Sequence, residues 1–154
     1  MVYLEQLYTF GNPTRDPRTR VISVAYFALI PPDLNRMIEL HANLSDQWIP
    51  IYDLLNPSEG ADTLSLAFDH TQMIQTMISR LENKLEFSDI AFALVPKSFT
   101  VSELRLVYEK IKNSEYDSSN FRRRFKRWIE DKVIQQVPGK RVTGSRPAKV
   151  YQKM

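Results

Sequence analysis

Five cations fall within the six positions from Arg122 to Arg127 (Arg122, Arg123, Arg124, Lys126 and Arg127), interleaved with Phe121, Phe125, Trp128 and Ile129. Guanidinium and ammonium groups donate hydrogen bonds to phosphate oxygens, and an arginine fork also fits the major-groove edge of guanine. At about 100° per residue the three aromatic residues and Ile129 form one stripe of a helix from Ser118 to Glu130. Ser119, Arg123, Lys126 and Arg127 point the opposite way, with Arg122 and Arg124 on the flanks. An ordinary solvated face would mix in acids for i,i+4 pairing, and none stands between Ser118 and Ile129. The pattern predicts a helix that lies on something negative, with double-stranded DNA the leading partner.

A second set, Arg15, Asp16 and Arg18, places two cations within four positions, enough to grip a diphosphate. The plainer alternative is a surface turn with an internal Arg–Asp pair. Asp69 and His70 suggest an acid–base couple, yet Asp69 suits a helix N-cap and His70 a first turn, and His41 is the only other histidine. Gly139, Lys140 and Arg141 lack the order of a phosphate-binding loop, which argues against a nucleoside triphosphatase. With no cysteine and no cluster of glutamates, neither a catalytic residue nor a metal ligand is assigned.

Charge divides the chain. Residues 1–86 hold six Lys/Arg against eleven Asp/Glu, and residues 87–154 hold fifteen against seven. The overall +3 thus conceals an acidic and a basic half, so two units with different partners are expected. The longest apolar run, Val21 to Ile30, is too short to span a bilayer, so a cytoplasmic protein without a membrane partner is expected.

These residues need elements to hold them. Val21 to Ile30 reads as a central strand covered on both faces, with Tyr3 to Phe10 as its less regular neighbour and a Pro-punctuated loop between them. Gln47 to Ile51 reads as a short third strand. Asp69 to Leu85 repeats Met73, Ile74, Met77, Ile78, Leu81 and Leu85 at helical spacing. In the second half Ser88 to Val95 is a first helix. Thr100 and Glu103 have capping-box spacing, and Phe99 with Leu104 can close a staple over that start. The helix that follows turns Val101, Leu104, Val107, Tyr108 and Ile111 inward and ends at Asn113 to Tyr116, after which Asp117 or Ser118 caps the basic helix. Two short strands, Val133 to Val137 and Ala148 to Gln152, then enclose a basic loop with Lys140, Arg141 and Arg146. Helix, turn, basic helix and hairpin are the order of a winged helix, whose second helix enters the major groove while the hairpin rests on the backbone.

The segments QLYTFGNPTRDPR (6–18), Val21 to Leu29 and LAFDH (66–70) resemble the later part of ADP-ribose-type Nudix domains. FTVSEL (99–104), NFRRR (120–124) and SRPAKVY (145–151) resemble the winged helix fused to such domains. The pairing is similar to the Nudix-related transcriptional regulators of NAD metabolism. The resemblance implies an α+β chain, with a partial Nudix-like mixed sheet and helix over residues 1–86 and a winged helix-turn-helix domain over 87–154. It implies a dimeric DNA-binding regulator whose first part senses a nucleotide such as ADP-ribose. The DNA-facing set is Ser119, Arg122, Arg123, Lys126, Arg127, Lys140, Arg141, Arg146 and Lys149, and the effector set is Arg15, Asp16 and Arg18. The glutamate-rich box that binds metal and activates water in Nudix hydrolases would fall ahead of Tyr3. A sensor without metal or required cofactor is therefore expected, with an open sheet edge where earlier strands would pair. Two alternatives stand beside it: a hydrolase fragment lacking its catalytic box, and a protein-interaction module whose basic helix docks an acidic partner.

Overall fold

The computed structural model describes residues 2–33, 48–55, 66–142 and 146–154. Gln47, His41 and residues 143–145 lie outside the described residues. The chain is α+β. Strands β1 (Tyr3–Phe10) and β2 (Ser23–Leu29) form an antiparallel pair. The uneven alternation of the first strand has a physical cause. A bulge between Gln6 and Tyr8 shifts the register, so Leu7 and Phe10, three apart, both face inward.

The expected double coverage of Val21 to Ile30 is corrected. Phe27 and Leu29 are buried, whereas Ile22, Val24 and Tyr26 are exposed beside Leu4 and Tyr8 of the neighbouring strand. Among the described residues one face of the pair is packed and the other is open. The strand expected at Gln47 to Ile51 is corrected: residues 48–50 have no regular structure, and helix α1 (Ile51–Leu55) begins at its last residue. Pro50 sets the entry: its carbonyl accepts from the Asp53 amide at 3.0 Å, and Asp53 lies in the first turn, where the helix dipole favours a carboxylate.

Helix α2 (His70–Phe87) lies across the inner face of the strand pair. Leu81 and Leu85 join Leu7, Phe10, Phe27 and Leu29, and the same cluster continues into Leu104, Tyr108, Phe121 and Phe125 of the second half. Polar clasps fix the crossing: Lys84 binds Glu5 and the Tyr3 hydroxyl, and Arg80 donates to the Gln6 carbonyl at 3.0 Å. A boundary at residue 86 therefore falls at the end of a helix whose last turns already belong to the second half's core.

The first helix expected at Ser88 to Val95 is instead a single 3-10 turn, Ile90–Leu94. Pro96 just beyond disfavours the helical region for Val95, which is extended, so the turn ends there. Helix α3 (Val101–Lys112) starts at the Thr100 and Glu103 capping box, with both reciprocal bonds present, and stops at Asn113, which adopts the left-handed conformation (φ 46°). Phe99 and Leu104, the expected staple, are both fully buried. Helix α4 (Ser118–Glu130) is capped by Asp117, whose carboxylate accepts from the Asn120 amide at 2.7 Å.

Strands β3 (Ile134–Val142) and β4 (Pro147–Lys153) are longer than their apolar content suggests. Lys140 and Arg141 lie in paired strand rather than in a ten-residue loop. Pro138 and Gly139 occupy an irregularity between Val137 and Lys140, where Gly139 has φ +112°, a conformation side chains rarely adopt. Phe99 exchanges two backbone bonds with Tyr151 (2.8 and 2.7 Å), adding a third short edge to this hairpin.

Candidate nucleic-acid interface

Helix α4 is oriented by its aromatic face. Phe121 and Phe125 are buried, and their rings meet Tyr108 and Tyr151 edge-on at 5.4 and 4.8 Å. Trp128 packs on Phe92 at 5.5 Å. Ile129, expected on the same stripe, is 38% exposed. Eight positions after Phe121, it stands roughly 80° off the stripe's centre, at its edge. Burying the inner face leaves Ser119, Arg122, Arg123, Lys126 and Arg127 exposed. Lys126 lies 3.6 Å from Glu130 in a pair exposed on both sides, which holds it only weakly. Among the described residues, no carboxylate pairs with Arg122, Arg123 or Arg127.

The hairpin adds a second positive surface. Lys140 and Lys149 are direct cross-strand partners, and both are exposed. Like charges placed opposite each other destabilise a strand pair, a cost that a bound anion removes. Arg146 is exposed just before β4. Arg141 behaves differently from its sequence assignment as a phosphate contact. Its guanidinium donates to both Glu103 oxygens (2.8 and 3.1 Å) and to Ser98 Oγ (3.1 Å), tying the hairpin to the start of α3.

The Arg15 loop is a set of closed pairs. Asn12 folds it by accepting from the Thr14 amide and hydroxyl at 3.0 and 2.9 Å. Arg15 is buried (6% side-chain exposure) and grips Asp69 with Nε and Nη2, each at 2.7 Å, while Nη1 donates to Ser23 Oγ at 2.7 Å. Asp69 thus occupies the N-cap position without capping α2, because its carboxylate is engaged across the chain. The arginine hydrogen bonds hold the Asp69 carboxyl below the usual range. Asp16 accepts from the Arg18 side chain and backbone, which lowers its pKa to about 2. Arg18 stays open, 73% exposed, with its guanidinium 5.0 Å from the centre of the Phe68 ring. Beside this loop a cavity of about 370 Å³ is lined by Tyr8, Asn12, Asp69, Gln72 and Thr76.

Sequence reasoning left Arg124 on a flank of α4, and the structure turns it inward. Its guanidinium lies over the Tyr108 and Trp128 rings at 5.0 and 5.2 Å and donates to the end of α2. Its place, roughly 60° from the aromatic stripe, is the only trace of this in the sequence. Among the described residues no three His, Asp or Glu side chains gather as a metal site requires, and no helix is long and apolar enough to cross a membrane.

Residues 91–152 match the family model of the NrtR DNA-binding winged helix domain. The second half is thus similar to that winged helix family. The match spans most of the 3-10 turn, α3, α4 and nearly all of the hairpin, including every cation of the two positive surfaces. Across 149 residues, 97% of the chain, it is 36% identical to the ADPR responsive transcriptional repressor NtrR of Acinetobacter baylyi, and it covers 55% of that protein. The crystal structure of Shewanella oneidensis NrtR complexed with a 27mer DNA superposes with a TM-score of 0.79 at 31% identity, covering 99% of this chain and 64% of that one. A MutT/nudix family protein from Enterococcus faecalis gives 0.61 at 26% identity, covering 98% and 61%. The chain therefore spans about half the length of the curated relative it matches and under two thirds of the NrtR chain. These likenesses bear out the α+β, Nudix-like plus winged-helix reading.

Proposed function

We propose that this chain is the DNA-binding and effector-sensing part of a transcriptional repressor, with residues 87–154 reading duplex DNA and residues 1–86 answering to an ADP-ribose-type nucleotide. One observation carries the reading: a helix whose inner face is locked by aromatics presents Arg122, Arg123, Lys126 and Arg127 outward, without a buried or bidentate partner. Ser119, Arg123, Lys126 and Arg127 face the bases, while Arg122 on the flank reaches the backbone. The hairpin rests on phosphate through Lys140, Lys149 and Arg146, and Arg141 supports it from behind. The likeness to a regulator crystallised with DNA and to an ADPR responsive repressor supports both halves.

The effector contact belongs on Arg18, which stays open to solvent, because Arg15 and Asp16 are buried with Arg15's fork filled by Asp69 and Asp16's carboxylate filled by Arg18. The chain acts in the cytoplasm, as a homodimer whose two winged helices meet successive half-sites. An effector that prefers one arrangement of the dimer changes operator affinity by that preference.

Fluorescence anisotropy with a labelled duplex and a single strand of the same composition tests the reading. Duplex binding that shifts on adding ADP-ribose, with the shift lost in Arg18→Ala, is the expected result. No duplex binding even at low salt would reject it.

A further inference from the structure

The last turn of α2 has no helical residues beyond it to satisfy its carbonyls, and such groups need partners when buried. Ser88 supplies one for Lys84, through its amide at 2.9 Å and hydroxyl at 2.8 Å. The next two are satisfied from the basic helix. Arg124 Nη2 donates to the Leu85 carbonyl at 2.6 Å and to the Glu86 carbonyl at 3.4 Å, and Nη1 donates to the Glu86 carboxylate at 3.1 Å. The Tyr108 hydroxyl donates to the Leu85 carbonyl at 3.3 Å. Glu86 also pairs with Lys112 at the end of α3. One planar cation thus caps a helix of the first half while lying over two aromatic rings of the second.

We infer that Arg124 is a positioning residue for DNA recognition: it fastens the recognition helix to the end of α2 and makes no DNA contact of its own. The inference rests on the DNA-binding reading above. A phosphate contact needs only a reachable positive charge, but this cap needs a fork, because three acceptors on two residues converge on one guanidinium. Arg124 is the one arginine of α4 whose side chain is folded back, with 22% exposure. Its loss should let the helix shift against α2, which degrades base contacts that require fixed geometry and spares diffuse attraction to phosphate.

The test uses the duplex that the wild-type chain enriches from a random-sequence pool, compared with a random duplex, at several salt concentrations. Arg124→Lys keeps the charge and loses the fork, and Arg124→Met keeps the stem over the rings. Both should weaken binding to the enriched duplex about tenfold and leave binding to random duplex and the slope of log affinity against log salt unchanged. If Arg124→Met weakens both duplexes equally and makes the slope shallower by about one ion, Arg124 is a phosphate contact and the inference fails. Full specificity in Arg124→Lys overturns it as well, because a point charge then suffices. A lowered melting temperature with unaltered specificity would reduce Arg124 to a purely structural role. Failure of the wild-type chain to enrich any duplex rejects the DNA-binding reading itself, before either variant is measured.

Discussion

Arg123 stands exposed on α4, four positions past Ser119 and opposite the buried Phe121 and Phe125. If its fork meets a guanine edge, Arg123→Ala should cost about 1–3 kcal/mol on the preferred duplex and relax base preference there. Equal weakening on random DNA would make it a phosphate contact instead. Lys149 carries a different expectation. It faces Lys140 across the hairpin, so Lys149→Gln should raise the melting temperature slightly while making the salt slope of DNA binding shallower by about one ion. A variant that loses stability, or keeps the parent slope, would break the link between that lysine pair and DNA. In the first half, Asp16 and Asp69 both have folded pKa values below the usual carboxylate value of about 3.9. A depressed pKa adds stability that is fully present above the unfolded value and is lost as pH falls through the folded one. Melts from pH 5 to 2 should therefore drop steeply toward the Asp16 value of about 2, and Asp69→Asn should flatten that acid limb. Parallel limbs would mean that the Arg15 clasp contributes nothing.

At the scale of elements, α4 separates packing from chemistry along one helix. Phe121→Ala should cost about 3–5 kcal/mol of stability, since a fully buried ring leaves a cavity, whereas Ile129→Ala at the exposed edge should cost much less. Chemical denaturation of the two variants distinguishes them, and similar costs would contradict the orientation of the helix. Much of this element was legible in the sequence, because capping boxes, N-caps and an i, i+4, i+7 aromatic stripe are local signals. Thr100 with Glu103, Asp117, and the outward cations all stand where those signals place them. The elements that escaped depend on long-range partners. Asp69 has the form of an N-cap, but Arg15, distant in sequence, takes its carboxylate. Arg141 sits in a basic hairpin, and nothing within that segment announces that Glu103 and Ser98 will hold it. The strand pairing of Lys140 extends the hairpin past Pro138, because a glycine at positive φ absorbs the irregularity that proline would otherwise impose.

Across the whole molecule, one apolar cluster runs from the strand pair through α2 into the winged helix, so neither half moves without disturbing shared side chains. Coupling between an effector at the Arg18 loop and the basic helix needs only that α2 adopt two arrangements, which both ends sense. The charge division fits the proposed function: an acidic first half repels a polyanion and a basic second half attracts one. Under the proposed function, the exposed face of α4 and the Lys140–Lys149 hairpin bind duplex DNA through several phosphates at once. The most direct test is the dissociation constant for a duplex as salt rises from 50 to 200 mM. With about five phosphates neutralised, affinity should fall by roughly two to three decades. Charge-removing substitutions at Arg122, Arg127, Lys140 and Lys149 together should leave most of that slope missing. Affinity that stays flat with salt, or a slope unchanged in the fourfold variant, would mean that these cations do not hold DNA.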